Sequence, residues 1–159
     1  MTTTVEAEGG PIVEDTRHGL LYIQYGQDKE AEYLTAIRQL ISRDLSEPYS
    51  IYVYRYFLYQ WGDLCFMAID TTGTLIGVIV CKLEVHRGGP LRGYIAMLAV
   101  KDDQRGKGIA TKLVRMAVEA MVEKDADEVL RACCFEYFRQ HISDKHRSLL
   151  RLRSTISHH

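Results

Sequence analysis

The chain has 159 residues, of which 47% are hydrophobic and 26% charged, with a formal net charge of −1. That size and mix predict one globular domain with a real core, and the near-neutral balance removes any global electrostatic reason to expect nucleic acid or a membrane as partner. No charged-then-apolar leader opens the chain and no apolar run reaches the ~18 residues of a membrane span, so a cytoplasmic, reducing setting is expected.

Residues 1–19 read as a polar, flexible leader, interrupted at Gly9-Gly10-Pro11. The run LLYIQY at 20–25 is a strand candidate. From Glu30 the period changes: Leu34, Ile37, Ile41 and Leu45 recur at three- and four-residue steps, one face of an amphipathic helix. Pro48 stops it, since proline lacks an N–H and disfavours a helical residue before it. Ser50 is placed to cap a second, tyrosine-rich helix over 51–61. Strands follow at 64–69 and 75–86, joined by the turn Thr71-Thr72-Gly73, and then a loop at 87–92. Residues 93–100, GYIAMLAV, form a nearly unbroken apolar run, the pattern of a central strand buried on both faces. Ile109, Leu113, Ala117, Ala120 and Met121 space a helix that reaches about Lys124, and 125–130 leads into another strand. The order is that of one mixed α/β domain.

Cys65 and Cys81 lie inside apolar strand runs, where a thiol acts as a small hydrophobe. Cys133 and Cys134 are adjacent, without CxxC spacing or a second pair, so no metal site is expected.

Between the last apolar strand and its helix runs DDQRGKGIATKLV, residues 102–114. A strand, a short basic glycine turn and a helix start make an anion site, because unpaired N–H groups and the helix dipole point at the turn. Gly106 and Gly108 let the backbone approach an anion without a Cβ in the way, and Arg105 and Lys107 add charge at the rim. The spacing fits neither the GxxxxGK[ST] phosphate loop nor the GxGxxG dinucleotide turn. The same glycines would also serve a plain helix-start turn.

This turn, with the strand YIAMLAV before it, resembles the [QR]xxGx[GA] pattern of the GCN5-related N-acetyltransferases. The resemblance implies that family's α/β fold, a mixed central sheet flanked by helices, with acetyl-CoA between two splayed strands. On that basis Leu98, Ala99 and Val100, the turn Arg105, Gly106, Lys107, Gly108, Ile109 and Ala110, and then Thr111 hold the co-substrate. Backbone N–H groups near Leu98 are the candidates for polarising its thioester. DLSEPYSIYVYRYF (44–57), LCFMAI (64–69) and VCKLE (80–84) resemble, more narrowly, catalytic subunits of the N-terminal acetyltransferase C complex. The likeness covers about residues 20–130. It implies acetylation of the α-amine of nascent chains that begin with Met and a bulky apolar residue, together with auxiliary subunits of that complex and, through it, the ribosome as partners. The peptide site then falls on Leu45, Ser46, Glu47, Pro48, Tyr49 and Tyr52. Tyr94 is similar to a strand tyrosine that acts as general base through water; packing alone would also account for it, as for the loop tyrosines.

The likeness breaks after Leu130. The family pattern continues with a strand bearing a glutamate and then an asparagine, a helix with a Leu-Tyr pair, and a closing hairpin. Here residues 131–159 instead carry six Lys/Arg, two Asp/Glu and four His. The family's acid–base glutamate and donor-contact tyrosine are therefore absent from the sequence, the final strands and helix are expected to be missing, and low stability and low activity are expected. A non-catalytic module that docks the auxiliary subunits is the competing reading.

Overall fold

Alternation along the central strands sends apolar side chains to both faces of one sheet, and the computed structural model shows helices on each face. It describes residues 4–7, 10–43, 45 and 47–131. The expected basic tail with Cys133 and Cys134, the elements expected to be missing there, and Ser46 all lie outside the described residues.

Seven strands stand in chain order: β1 (Thr4–Ala7), β2 (Gly10–Asp15), β3 (Leu20–Gln24), β4 (Phe66–Ile69), β5 (Leu75–Val85), β6 (Leu91–Val100) and β7 (Glu128–Arg131). Every neighbouring pair is antiparallel except β6 and β7, which run parallel. Helix α3 (Ile109–Glu123) lies between those two in sequence, the long connection that a parallel pair needs. Helices α1 (Glu30–Ser42) and α2 (Ile51–Trp61) join β3 to β4.

The two faces bury separate clusters. Leu34, Ile37 and Ile41 of α1 and Tyr54 and Leu58 of α2 pack with Met67, Val78 and Val80. On the opposite face Ile109, Leu113, Ala117 and Met121 of α3 pack with Tyr22, Phe66 and Ile79. Two glycines let α3 lie close. A Cβ on Gly77 of β5 would stand 2.9 Å from Ile109 and 3.2 Å from Leu113; one on Gly93 of β6 would stand 2.5 Å from the Met121 sulfur. The helix is thus seated on the sheet at both of its ends.

Strand β6 departs from the expected slab buried on both faces. Val80 pairs with Met97 but Cys81 pairs with Ile95, so Ala96 is one extra residue, a β-bulge. Ile95 and Leu98, three apart, consequently both pack toward α3, while Met97 and Ala99 pack toward α1 and α2. Buried and half-buried residues alternate from Gly93 to Val100. Apolar content alone does not reveal this, because half-buried Ala, Leu and Val read like fully buried ones.

The expected flexible leader contains two strands. β2 pairs with β3 from Ile12 to Asp15, and Ile12 and Val13 rest against the two clusters. Pairing with an otherwise open sheet edge supplies what the polar composition hides. Helix α1 also stops earlier than Pro48 requires. Ser42 Oγ donates to the Gln39 carbonyl at 3.3 Å, and the Leu45 N–H turns back to the Ser42 carbonyl at 3.2 Å, a local bond that competes with the helical ladder. Ser50 does sit at the N-cap of α2 in extended conformation, without a side-chain cap bond.

Two tests follow from this packing. Gly77→Val should lower stability by about 1–3 kcal/mol through overpacking against Ile109 and Leu113, read as a fall in the urea midpoint. Burial pushes the phenols of Tyr22 and Tyr25 up to about 12, from 10.0, and raises the Cys65 and Cys81 thiols in the same direction. Raised folded values favour the neutral forms, so this stability is complete below the unfolded values and is lost as pH climbs past them. The urea midpoint should hold to about pH 8 and fall between about pH 9 and 12. A midpoint flat to pH 12 would contradict the burial of these groups.

Candidate active site

On one side β6 is paired with β5 through to Val100; on the other, β7 meets it only from Arg92 to Ile95. Two contacts fix where β7 begins: the Leu91 N–H donates to Asp127 Oδ2 at 2.7 Å, and Arg92 Nε to Glu128 Oε1 at 2.5 Å. Beyond the bulge, Ala96–Val100 has no strand on that side among the described residues. Leu98, Ala99 and Val100 occupy this stretch, with Leu98 and Val100 half-buried and Ala99 buried.

The chain then turns. The Lys101 N–H donates to the Ile76 carbonyl at 2.8 Å, and a single 3-10 turn spans Asp102–Gln104. Gly106 and Gly108 follow at φ +84° and +75°, values that L side chains rarely adopt. Gly108 is the N-cap of α3 and offers no side-chain cap, and the first turn holds no acidic residue. The Lys112 N–H donates to the Gly108 carbonyl at 3.0 Å, so the N–H groups of Ile109, Ala110 and Thr111 precede the helical ladder. Among the described residues nothing lies within 4 Å of where a Cβ on Gly106 or Gly108 would stand. Backbone donors, the positive end of a helix dipole and open approach suit a pyrophosphate.

The side chains of the turn play lesser parts. Arg105 and Lys107 are exposed; Arg105 pairs with Asp102 at 3.0 Å and Lys107 donates to Gln104 Oε1 at 2.7 Å. Ile109 has its side chain in the core at 2% exposure, so only its backbone is free to meet a ligand. Ala110 and Thr111 are half-buried at the helix start.

The loop between α1 and α2 lies on the other helical face. Leu45 is half-buried against the α1–α2 cluster, whereas Glu47, Pro48, Tyr49 and Tyr52 are exposed, Tyr52 at 75%. Tyr49 stands edge-on to the buried Tyr54, ring centroids 6.3 Å apart. Tyr54, not the loop tyrosines, does the packing, and its hydroxyl and that of Tyr25 have no hydrogen-bond partner among the described residues. Tyr94 is half-buried and stands in register with Lys82 of β5.

The bulge separates two residues that a regular strand would place together. Tyr94 and Leu98, four apart, would share a face; the extra residue turns Leu98 toward α3 and leaves Tyr94 on the face of α1 and α2. The structure therefore gathers the residues from Leu98 to Thr111 into one continuous stretch and puts Tyr94 on the face that carries the α1–α2 loop. Lys82 and Glu84 join Tyr94 there, and the reading of the sequence passed over them. Their signal was a lysine and a glutamate at alternate positions closing an apolar strand, VCKLE. Among the described residues no three His, Cys, Asp or Glu side chains gather as a metal site, and no helix is long and apolar enough to cross a membrane.

Residues 34–142 match the family described as acetyltransferase (GNAT). N-alpha-acetyltransferase 30 of Schizosaccharomyces pombe is 52% identical over 99 residues, covering 62% of this chain and 65% of that protein. The protein of the same name from Homo sapiens is 50% identical over 109 residues, covering 69% and 29%. The chain thus spans less than two thirds of the length of these curated relatives. Among solved structures, a chain of the NatC complex bound to Gag peptide and CoA superposes with TM-score 0.66 at 47% identity, over 70% of this chain and 72% of that one. A GNAT family acetyltransferase from Brucella melitensis in complex with acetyl-CoA shares the fold, with TM-score 0.61 at 16% identity over 77% and 81%.

Gly108→Val should cost about 1–2 kcal/mol for a branched residue held left-handed. CoA, the ligand of a structural neighbour, serves as the probe: where this chain takes it up, the variant should weaken the binding seen by calorimetry well beyond what the small loss of folded protein explains. Unchanged affinity for the probe would remove the turn from the candidate site.

Proposed function

The chain belongs to the acetyltransferase (GNAT) family, and we propose that it moves an acetyl group from acetyl-CoA to the α-amine of nascent chains that begin with Met followed by a bulky apolar residue. The observation that carries this reading is the unbroken path from the free half of β6 through the glycine turn into α3. The path lies within a region about half identical to the N-alpha-acetyltransferases.

In the reaction the amine lone pair forms a bond to the thioester carbonyl carbon, the carbon–sulfur bond breaks, and the amine gives up a proton. Backbone N–H groups of the turn and of Ile109, Ala110 and Thr111 hold the pyrophosphate of the donor. Backbone N–H groups near Leu98 polarise the carbonyl where charge develops. Tyr94 receives the amine's proton through a water molecule as its phenolic proton passes on to the departing CoA thiolate, which leaves as the thiol. Leu45, Ser46, Glu47, Pro48, Tyr49 and Tyr52 receive the peptide: the tyrosines form an apolar rim for its second side chain, and Glu47 meets its amine or first amide. Auxiliary subunits of the N-terminal acetyltransferase C complex are the partners, the ribosome is reached through them, and the setting is the cytoplasm.

One observation favours a second reading. Residues 131–159 depart from the pattern that the resemblance implies there. On that reading the chain is a docking module for the auxiliary subunits and turns over slowly or not at all.

Thermal unfolding with acetyl-CoA separates these readings. A ligand at a hundredfold its Kd adds about 2.7 kcal/mol, which raises Tm by several degrees in a domain of this size. The expected result is a concentration-dependent rise together with slow acetylation of a Met-Leu peptide. No rise at saturating acetyl-CoA overturns the donor site. A rise without acetylation, with co-purification of the auxiliary subunits, leaves the docking module.

A further inference from the structure

Strand β5 is buried from Leu75 through Cys81 and then carries Lys82 and Glu84. Cys81 and Leu83 pack toward α3, so by alternation Lys82 and Glu84 point to the face of α1 and α2. There Lys82 stands opposite Tyr94 in register, with its Nζ 5.5 Å from the Tyr94 ring centroid, within range of cation–π attraction. The ammonium is tethered: Nζ donates to Glu84 Oε1 at 2.8 Å, and this bond raises the Lys82 pKa and keeps the group charged. The Lys82 side chain is only 25% exposed. Trp61 donates Nε1–H to the Leu83 carbonyl at 2.9 Å and stands edge-on to Tyr56 at 5.5 Å. Among the described residues no other ring stacks on Tyr94 or meets it edge-on. The bulge at Ala96 interrupts the strand just past it.

We propose that Lys82, held by Glu84, is a positioning residue for Tyr94: its ammonium fixes the phenol ring on β6, and with it the point at which the substrate's proton is received. The catalytic consequence rests on the role given to Tyr94 above; the tether does not. Half-buried and next to a bulge, Tyr94 has neighbours on β5, β6 and β7 but, among the described residues, no second ring to hold its χ angles. A cation fixed over one face supplies that restraint without blocking the hydroxyl. Lys82 itself touches no reacting atom.

The test uses the full chain and the variants Lys82→Met, Lys82→Arg and Glu84→Gln. Tyr94 ring resonances are assigned in ¹³C-tyrosine-labelled protein by difference with Tyr94→Phe. Lys82→Met, close in length but uncharged, should shift and broaden those resonances, Glu84→Gln should do so partly, and Lys82→Arg should leave them near the native positions. In turnover with a Met-Leu peptide, Lys82→Met should lower kcat about tenfold or more, the scale of a misplaced catalytic group, with KM for acetyl-CoA unchanged, and Lys82→Arg should recover most of it. Tyr94 resonances unmoved in both Lys82→Met and Glu84→Gln overturn the proposal whatever turnover does, and moved resonances with native kcat overturn its catalytic part. Moved resonances in a chain whose native form transfers no acetyl group sustain the tether and count against the acetyltransferase reading instead. Should Lys82→Met fail to fold, Glu84→Gln decides the matter, because Glu84 is 49% exposed and replaceable.

Discussion

The seating of α3 on β5 and β6 is the contact on which the rest of the structure depends. Gly77 accepts Ile109 and Leu113 near the start of the helix, and Gly93 accepts Met121 toward its end. With both ends set, the first N–H groups of α3 come to rest next to the half of β6 beyond the bulge. A turn that offers mainly backbone donors has no side chain with which to correct an error of an ångström. Its accuracy is inherited from two absent Cβ atoms and a buried isoleucine, and the visible charges, Arg105 and Lys107, already have partners along the turn.

The bulge at Ala96 is the second constraint, and it works with the first. It turns Leu98 toward α3 and leaves Tyr94 on the opposite face. Residues after the bulge border the glycine turn; residues before it border Lys82, Glu84 and α2. Past the bulge, β7 no longer pairs with β6. Extended strands bring residues of like parity to one face, so a single inserted residue is the cheapest way to divide a strand between faces.

Along the chain, legibility followed periodicity. The spacing of Leu34, Ile37 and Ile41 and of Ile109, Leu113 and Ala117 made α1 and α3 readable, and the glycine turn stood out by composition. The strands at 4–15 were hidden because their gain comes from pairing with β3 and from two residues, Ile12 and Val13, inside a polar context. Lys82 was passed over because a lysine at a strand end reads as a solvated charge; what sets it apart is Tyr94, twelve positions away and one strand across.

By itself, the sequence determined the class of fold, the order of its elements from residue 20 onward and the place of the glycine turn, since these follow from hydrophobic period and from glycines with a local steric purpose. It also carried the family, through motifs that resemblance alone could read. The tertiary structure decided which side of the sheet each residue serves: register and bulges are properties of paired strands, and one extra residue on β6 reverses the face of every side chain beyond it. It likewise decided that Gly77 and Gly93 seat a helix, because the atoms they make room for are remote in sequence and brought near only by folding.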